Sequence, residues 1–143
     1  MEVFMIYEEI YFPELGDERG HLVVAETFKD IPFVIKRVFY IYGTESGVIR
    51  GQHANRNSEF VLINVKGSSK IRIDNGYEEA TVLLDKPNKA VYINKMIWKD
   101  MYDFSEDSIL VVLSSEGYDP KEYIRDYQEY IKIIKEGKSN EEY

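Results

Sequence analysis

Glu59-Phe60-Val61-Leu62-Ile63-Asn64-Val65-Lys66-Gly67-Ser68-Ser69-Lys70-Ile71-Arg72-Ile73-Asp74-Asn75-Gly76 is the stretch that decides the fold. Its first part, Glu59 to Val65, is a short apolar run of strand-forming residues. Its second, Ser69 to Asp74, alternates Ile71 and Ile73 with Lys70, Arg72 and Asp74, the period of a half-buried strand. Asn75-Gly76 then tolerates the positive φ angles of a type I′ hairpin turn. Two neighbouring strands and a tight turn are expected here.

The same signal repeats on both sides. Leu22 to Glu26 and Val34 to Tyr42 precede it, and Thr81 to Leu84, Ala90 to Ile93, Ile97 to Phe104 and Ile109 to Leu113 follow. About eight to ten short strands with no helix between them indicate a sandwich or a barrel. A jelly roll fits best, because its two sheets enclose room for a ligand. After Ser115 the pattern changes. Asp119 is placed to cap, Pro120 to start and Glu122 to complete the first turn of a helix. Tyr123, Ile124, Tyr127, Ile131 and Ile134 would form its apolar face. The expectation is an all-β jelly-roll barrel in a single domain, 1–143, with an amphipathic C-terminal helix over about 120–136 and a disordered tail over about 138–143.

Composition narrows the function. A chain of 143 residues, 44% hydrophobic and 14% aromatic, can bury a true core. Twelve tyrosines suit a polar pocket or a subunit interface, since each pairs an apolar ring with a polar tip. The absence of cysteine excludes disulfides and thiolate chemistry. The net charge of −8 opposes general nucleic-acid binding, which needs a basic footprint. Neither a leader pattern at Met1 to Met5 nor an apolar stretch near the ~20 residues of a membrane span is seen. A cytoplasmic protein is expected, and an anionic ligand would need a local arginine or lysine cluster.

The candidate chemistry lies in Arg50-Gly51-Gln52-His53-Ala54-Asn55. The chain has two histidines, His21 and His53. Period-two alternation puts Gly51, His53 and Asn55 on one strand face, successive members ~7 Å apart for a rise of ~3.3 Å per residue. Such a pair can flank neighbouring carbons of one sugar ring. Gly51 leaves room for a ligand to approach, and Arg50 offers a fork that matches phosphate oxygens.

Two resemblances compete over this run. Gly47, His53, Asn55, Glu59 and Gly67 have a spacing similar to the first cupin metal motif. Asn55 stands where that motif has its second histidine, and the downstream histidine is missing. One imidazole and one carboxylate are a poor transition-metal set, so no metal and no cofactor are expected. The second resemblance is more specific. Arg50-Gly51-Gln52-His53 resembles the R-G-x-H segment of dTDP-sugar 3,5-epimerases and dTDP-4-keto-6-deoxyhexose 3,4-ketoisomerases. Further segments resemble the ketoisomerases nearly end to end: Arg19 to Val23, Ile31 to Ile41, Val65 to Ser68, Trp98 to Ser105, Ser115 to Asp119 and Glu122 to Tyr127.

The ketoisomerase resemblance implies a homodimeric cupin that converts dTDP-4-keto-6-deoxyglucose to its 3-keto isomer without metal. The product would feed an aminotransferase making a 3-amino-3,6-dideoxy sugar for a surface glycan such as lipopolysaccharide. Many family members read R-G-x-H-A-H, whereas this chain has Asn55, which cannot exchange a proton at neutral pH. His53 then serves both proton steps, or a water or tyrosine supplies the second, or the protein is slow. Asn55 is expected to hold the enediolate oxygen. Tyr40 and Tyr42 are candidate pocket residues, Trp98 a candidate for stacking on thymine, and Arg50 a candidate for the diphosphate. Arg37 and Arg72 read equally as solvated faces. His21 and Lys99 are candidates for choosing the face of C4 that is protonated, or else exposed polar residues. Two other functions stay open: a 3,5-epimerase, and a sugar-nucleotide-binding cupin that is inactive because of Asn55.

Overall fold

The computed structural model describes residues 7–141, with side chains as far as Gly137. Twelve strands are formed: β1 (Glu8–Tyr11), β2 (Glu14–Asp17), β3 (Gly20–Val23), β4 (Arg37–Tyr42), β5 (Arg50–Asn55), β6 (Phe60–Lys66), β7 (Ser69–Asp74), β8 (Glu79–Leu84), β9 (Lys89–Ile93), β10 (Trp98–Tyr102), β11 (Ile109–Ser114) and β12 (Tyr123–Ile124). One sheet has the order β1-β9-β6-β11-β4 and the other β12-β5-β10-β7-β8, while β2 and β3 form a separate hairpin. Named strand pairs are antiparallel throughout. The expected jelly-roll barrel is what the chain builds.

The main core lies between the two sheets. Phe60, Leu62, Val91, Leu110 and Val112 of the first sheet meet Ile71, Ile73, Val82, Leu84 and Met101 of the second. Each such side chain contributes roughly 1.5–3 kcal/mol on burial. Ile71 and Ile73 are fully buried, as alternation requires. β6 is buried on both faces: Val61 and Ile63 pack outward against Phe12, Ile31 and Phe33. That double burial explains why Phe60 to Ile63 reads as a continuous apolar run.

The turn after β7 differs from the type I′ expectation. Asp74 pairs with Glu79, so the loop spans four residues, and only Gly76 among them has positive φ (+94°). Asn75 instead uses its side-chain oxygen to accept from the backbone of Tyr77 and Glu78. This Asx-type closure replaces the two-residue turn. Gly76 also admits the helix, because a Cβ there would lie 3.1 Å from Ile134.

The C-terminal expectation needs a larger correction. Asp119 does cap, and Pro120 does start a turn, but it is a 3-10 turn ending at Glu122. Tyr123 and Ile124 then pair with Asn55 and Ala54 as edge strand β12. The α-helix α1 runs Tyr127–Glu141. Its N-cap is Asp126, whose carboxylate accepts from Glu129 N. Strand pairing with β5 outcompeted the local helix signal at Pro120. Gly137 does not end the helix, and the tail expected to be disordered is helical to Glu141; 142–143 lie outside the described residues. Tyr130, Ile131 and Ile134 pack with Trp98 and Ile124 on the outer side of the second sheet. Among the described residues no helix is long and apolar enough to cross a membrane.

Candidate active site

Between the sheets, at the end bounded by β4, β5 and β10, the core opens into a cavity of about 250 Å³. Its floor is apolar, with Phe60, Leu62, Met101 and Val112. Its polar wall is His53, Lys99, Tyr123, Arg37 and Arg50.

β5 reaches the cavity through a bulge. Lys99 pairs with His53 and Asp100 with Gly51, which leaves Gln52 without a partner on β10. Gly51 and Gln52 both take left-handed backbone, with φ of +83° and +55°. A Cβ on Gly51 would sit 3.0 Å from the Lys99 carbonyl oxygen and 3.1 Å from the Met101 methyl. Glycine is therefore required here for backbone reasons. The bulge leaves the Gly51 carbonyl 2.9 Å from His53 Nδ1. A carbonyl only accepts, so Nδ1 carries the hydrogen and the lone pair of the neutral ring is on Nε2. The other side of the ring is held by Tyr123, edge-on at 4.9 Å between centroids. Burial, followed by the charge of Lys99, lowers the His53 pKa to about 4, against the opposing effect of the Gly51 hydrogen bond. His53 is thus a free base at neutral pH.

Lys99 is 3% exposed and reaches the cavity, so it is not the exposed polar residue that one reading of the sequence allowed. Its Nζ donates to Asn55 Oδ1 at 3.3 Å and to the Ile97 carbonyl at 3.4 Å, and lies 4.6 Å from the Phe60 ring centroid. Burial lowers its pKa to about 7, while Glu122 acts to raise it. Asn55 is fully enclosed and is not on the cavity wall. Its Nδ2 donates to Glu122 Oε1 at 2.8 Å, and the same oxygen accepts from Ser58 N at 3.2 Å. The expected role of Asn55 at the enediolate oxygen is corrected: its amide is committed to Glu122 and Lys99 behind the wall.

Other sequence candidates divide. Arg50 and Gly51 line the cavity. Tyr40 reaches its rim while remaining 62% exposed, stacked on Tyr42 at 6.1 Å. Tyr42 lies off the cavity wall, because alternation along β4 turns Arg37, Phe39 and Ile41 inward. Trp98 cannot stack on a base: it is 5% exposed and packed against Tyr127 and Tyr130 under α1. Alternation along β10 sends Trp98 outward and Lys99 inward. His21 sits on the β2–β3 hairpin, 3.3 Å from Glu14 and away from this cavity. Arg72 is an outer-face ion-pair centre with Asp100 and Glu79. Arg37 is in the wall, 4.5 Å over Phe39 and 3.4 Å from the Tyr123 hydroxyl. Among the described residues no three His, Asp or Glu side chains gather as a metal set, and Glu59 accepts instead from the Tyr92 hydroxyl.

The family model described as "FdtA: WxcM-like, C-terminal" matches residues 5–135. The chain belongs to this FdtA family. One relative, the TDP-4-oxo-6-deoxy-alpha-D-glucose-3,4-oxoisomerase of Aneurinibacillus thermoaerophilus, is 41% identical over 125 residues, 87% of this chain and 90% of the relative. The sugar 3,4-ketoisomerase QdtA of Thermoanaerobacterium thermosaccharolyticum, solved with TDP, matches with a TM-score of 0.90 at 40% identity, covering 94% of this chain and 98% of that one. A histidine-to-asparagine variant of QdtA, solved with TDP-4-keto-6-deoxyglucose, matches with a TM-score of 0.89 at 39% identity over 94% and 97% of the two chains.

The motif Arg50 to His53 contributes Arg50, Gly51 and His53 to the cavity wall. Tyr123 and Glu122 are the wall and support residues that sequence reasoning missed, and Arg37, which read equally as a solvated face, is in the wall. Glu122 and Tyr123 lay within a family-like segment, but the Pro120 signal assigned them to a helix. Arg37 shares the inward parity of Phe39 and Ile41, which was the available signal.

Proposed function

We propose that this FdtA-family chain is a sugar 3,4-ketoisomerase that converts dTDP-4-keto-6-deoxyglucose to a dTDP-3-keto-6-deoxyhexose, with His53 as its carbon base. The observation that carries the assignment is the His53 ring in the cavity wall, its Nδ1–H engaged by the Gly51 carbonyl and its Nε2 lone pair left for substrate. The C3 hydrogen of the sugar is acidic because the C4 carbonyl can hold the resulting charge. His53 takes that proton, and a C3–C4 enediolate forms. The O3 proton passes to O4 and the imidazolium protonates C4, which leaves a ketone at C3 and a hydroxyl at C4. A neutral imidazole suits both the removal and the return of the proton. The cavity lies just below the ~300–1,000 Å³ of ligand pockets, which suits the hexose within it and the nucleotide at its mouth. Arg50 and Tyr40 stand there to meet the diphosphate and the base.

A homodimer is supported by the outward side of edge strand β4, where Val38, Tyr40 and Tyr42 are all more than half exposed. Light scattering tests that state. A cytoplasmic location follows from where nucleotide-activated sugars are made. The C3 ketone of the product is the group with which an aminotransferase condenses, consistent with supply of a 3-amino sugar for a surface glycan.

Proton NMR of the product from dTDP-4-keto-6-deoxyglucose tests the activity. A C3 ketone supports isomerisation. Inversion at C5 with the ketone unmoved would indicate a 3,5-epimerase, and tight TDP binding without deuterium exchange at C3 would indicate a binding protein. His53→Asn is expected to abolish turnover while TDP binding persists.

A further inference from the structure

A buried ammonium with no carboxylate beside it is costly to the fold, so its presence calls for an explanation. Lys99 is such a group. Among the described residues no carboxylate lies within 4.0 Å of its Nζ. Its acceptors are an amide oxygen and a backbone carbonyl at 3.3 and 3.4 Å, both longer than the usual ~2.9–3.0 Å. An ammonium has three N–H donors, so one is left over, and the residue lines the cavity. Across the β10–β5 ladder its partner is His53, which places the base and the cation side by side on one wall.

We propose that Lys99 is a catalytic residue whose ammonium donates to the C4 oxygen of the substrate as it becomes an enediolate, and that Asn55 and Glu122 are its positioning residues. The inference rests on the ketoisomerase reading of the same cavity. The relay has a defined polarity. The Glu122 carboxylate can only accept, so it takes the Asn55 amide N–H and turns the Asn55 carbonyl oxygen toward Lys99. Ser58 N donates to the same Glu122 oxygen and fixes the carboxylate in turn. The amide at position 55 therefore does what a charged partner would not: it holds Lys99 in place without neutralising it. Negative charge developing on O4 then meets a preorganised cation in a site shielded from water, where such stabilisation is strongest. No proton leaves Lys99 in this role. His53 carries the carbon proton and Lys99 holds the oxygen.

Three variants test it, each against the parent enzyme with dTDP-4-keto-6-deoxyglucose. Lys99→Met is expected to lower kcat by about 10²–10³-fold, the usual loss for one such donor, while TDP binding stays within threefold. Lys99→Arg is expected to recover at least tenfold over Lys99→Met, because it restores a cation and donor. Its kcat should also lack the alkaline limb near pH 7 expected of the parent, since arginine does not titrate there. Glu122→Gln keeps the acceptor for Asn55 and Ser58 but removes the charge that raises the Lys99 pKa, so the alkaline limb should move to lower pH. The titratable and charged groups around Lys99 are His53 and Arg50 from β5, Glu122 from the 3-10 turn, Tyr123 from β12, and Arg37 and Tyr40 from β4; across β7 it faces Ile73. Parent-like kcat in Lys99→Met, an alkaline limb retained in Lys99→Arg, or an unmoved limb in Glu122→Gln would each overturn the proposal. A parent enzyme that makes no C3 ketone would instead overturn the ketoisomerase reading, so the two failures are separable.

Discussion

The carbonyl oxygen of Gly51 lies 2.9 Å from Nδ1 of His53, two residues along the same bulged strand. A backbone acceptor thus fixes the tautomer of the base, a task that elsewhere falls to a carboxylate. The bulge itself depends on Gly51, whose φ of +83° and close approach to the Lys99 carbonyl exclude a side chain. Gly51→Ala is expected to lose about 1–3 kcal/mol of stability from backbone strain. The same change is expected to lower kcat by more than tenfold, as His53 loses its fixed acceptor. Thermal melts and initial rates measure both, and an unchanged kcat would show that the carbonyl does not orient the ring.

Proton uptake by His53 gives a signed expectation for pH. Its folded pKa is about 4, below the ordinary 6.5, so the unfolded chain binds more protons between those values. Stability therefore falls as pH drops from about 6.5 toward 4. The acid limb of kcat/KM belongs near pH 4 rather than near the usual histidine value. Since the charge of Lys99 contributes to this depression, Lys99→Met is expected to raise the His53 pKa. NMR titration of the His53 ring protons reads the shift even where turnover is too slow to follow.

How much of this was legible depends on how local the signal is. β7 could be read because Ile71 and Ile73 alternate with polar neighbours, and β6 because burial on both faces leaves an unbroken apolar run. The Arg50 to His53 motif marked the cavity through its residue types. What the sequence hid is set by contacts distant along the chain. Tyr123 belongs to a strand only because Asn55 is there to pair with it, and the nearby Asp119-Pro120 pair argues locally for a helix. Asn55 keeps the inward parity of His53, but its amide is taken by Glu122, a partner 67 residues along the chain that the strand pattern does not reveal. Trp98 and Lys99 point to opposite faces of the second sheet, because the parity of β10 is decided by its neighbours and not by its own sequence.

Trp98 offers a clean test of that parity. Its ring meets Tyr127 at 5.2 Å and Tyr130 at 5.7 Å, and it is enclosed beneath α1. Trp98→Ala is expected to cost about 3–5 kcal/mol, the usual range for a buried aromatic. TDP affinity measured on the folded fraction should stay within threefold. A large loss of affinity with little loss of stability would instead return Trp98 to the nucleotide site.

The neighbouring residue makes the opposite case, in which function costs stability. The ammonium of Lys99 is buried with only neutral acceptors, and burial lowers its pKa to about 7 from the ordinary 10.5. Between those values the unfolded chain binds the extra proton, so stability from this group is lost as pH falls from about 10.5 toward 7. At pH 7 and below, the folded protein carries the full penalty. An apolar side chain of similar length removes it, and replacing buried charge in this way commonly stabilises by about 1–4 kcal/mol. Lys99→Met is therefore expected to raise Tm at pH 7 while it lowers turnover, and the gain should shrink toward pH 10. Calorimetry across that range separates the two effects: a variant that melts lower at pH 7 would mean that the Asn55 and Glu122 contacts stabilise the cation by more than its burial costs.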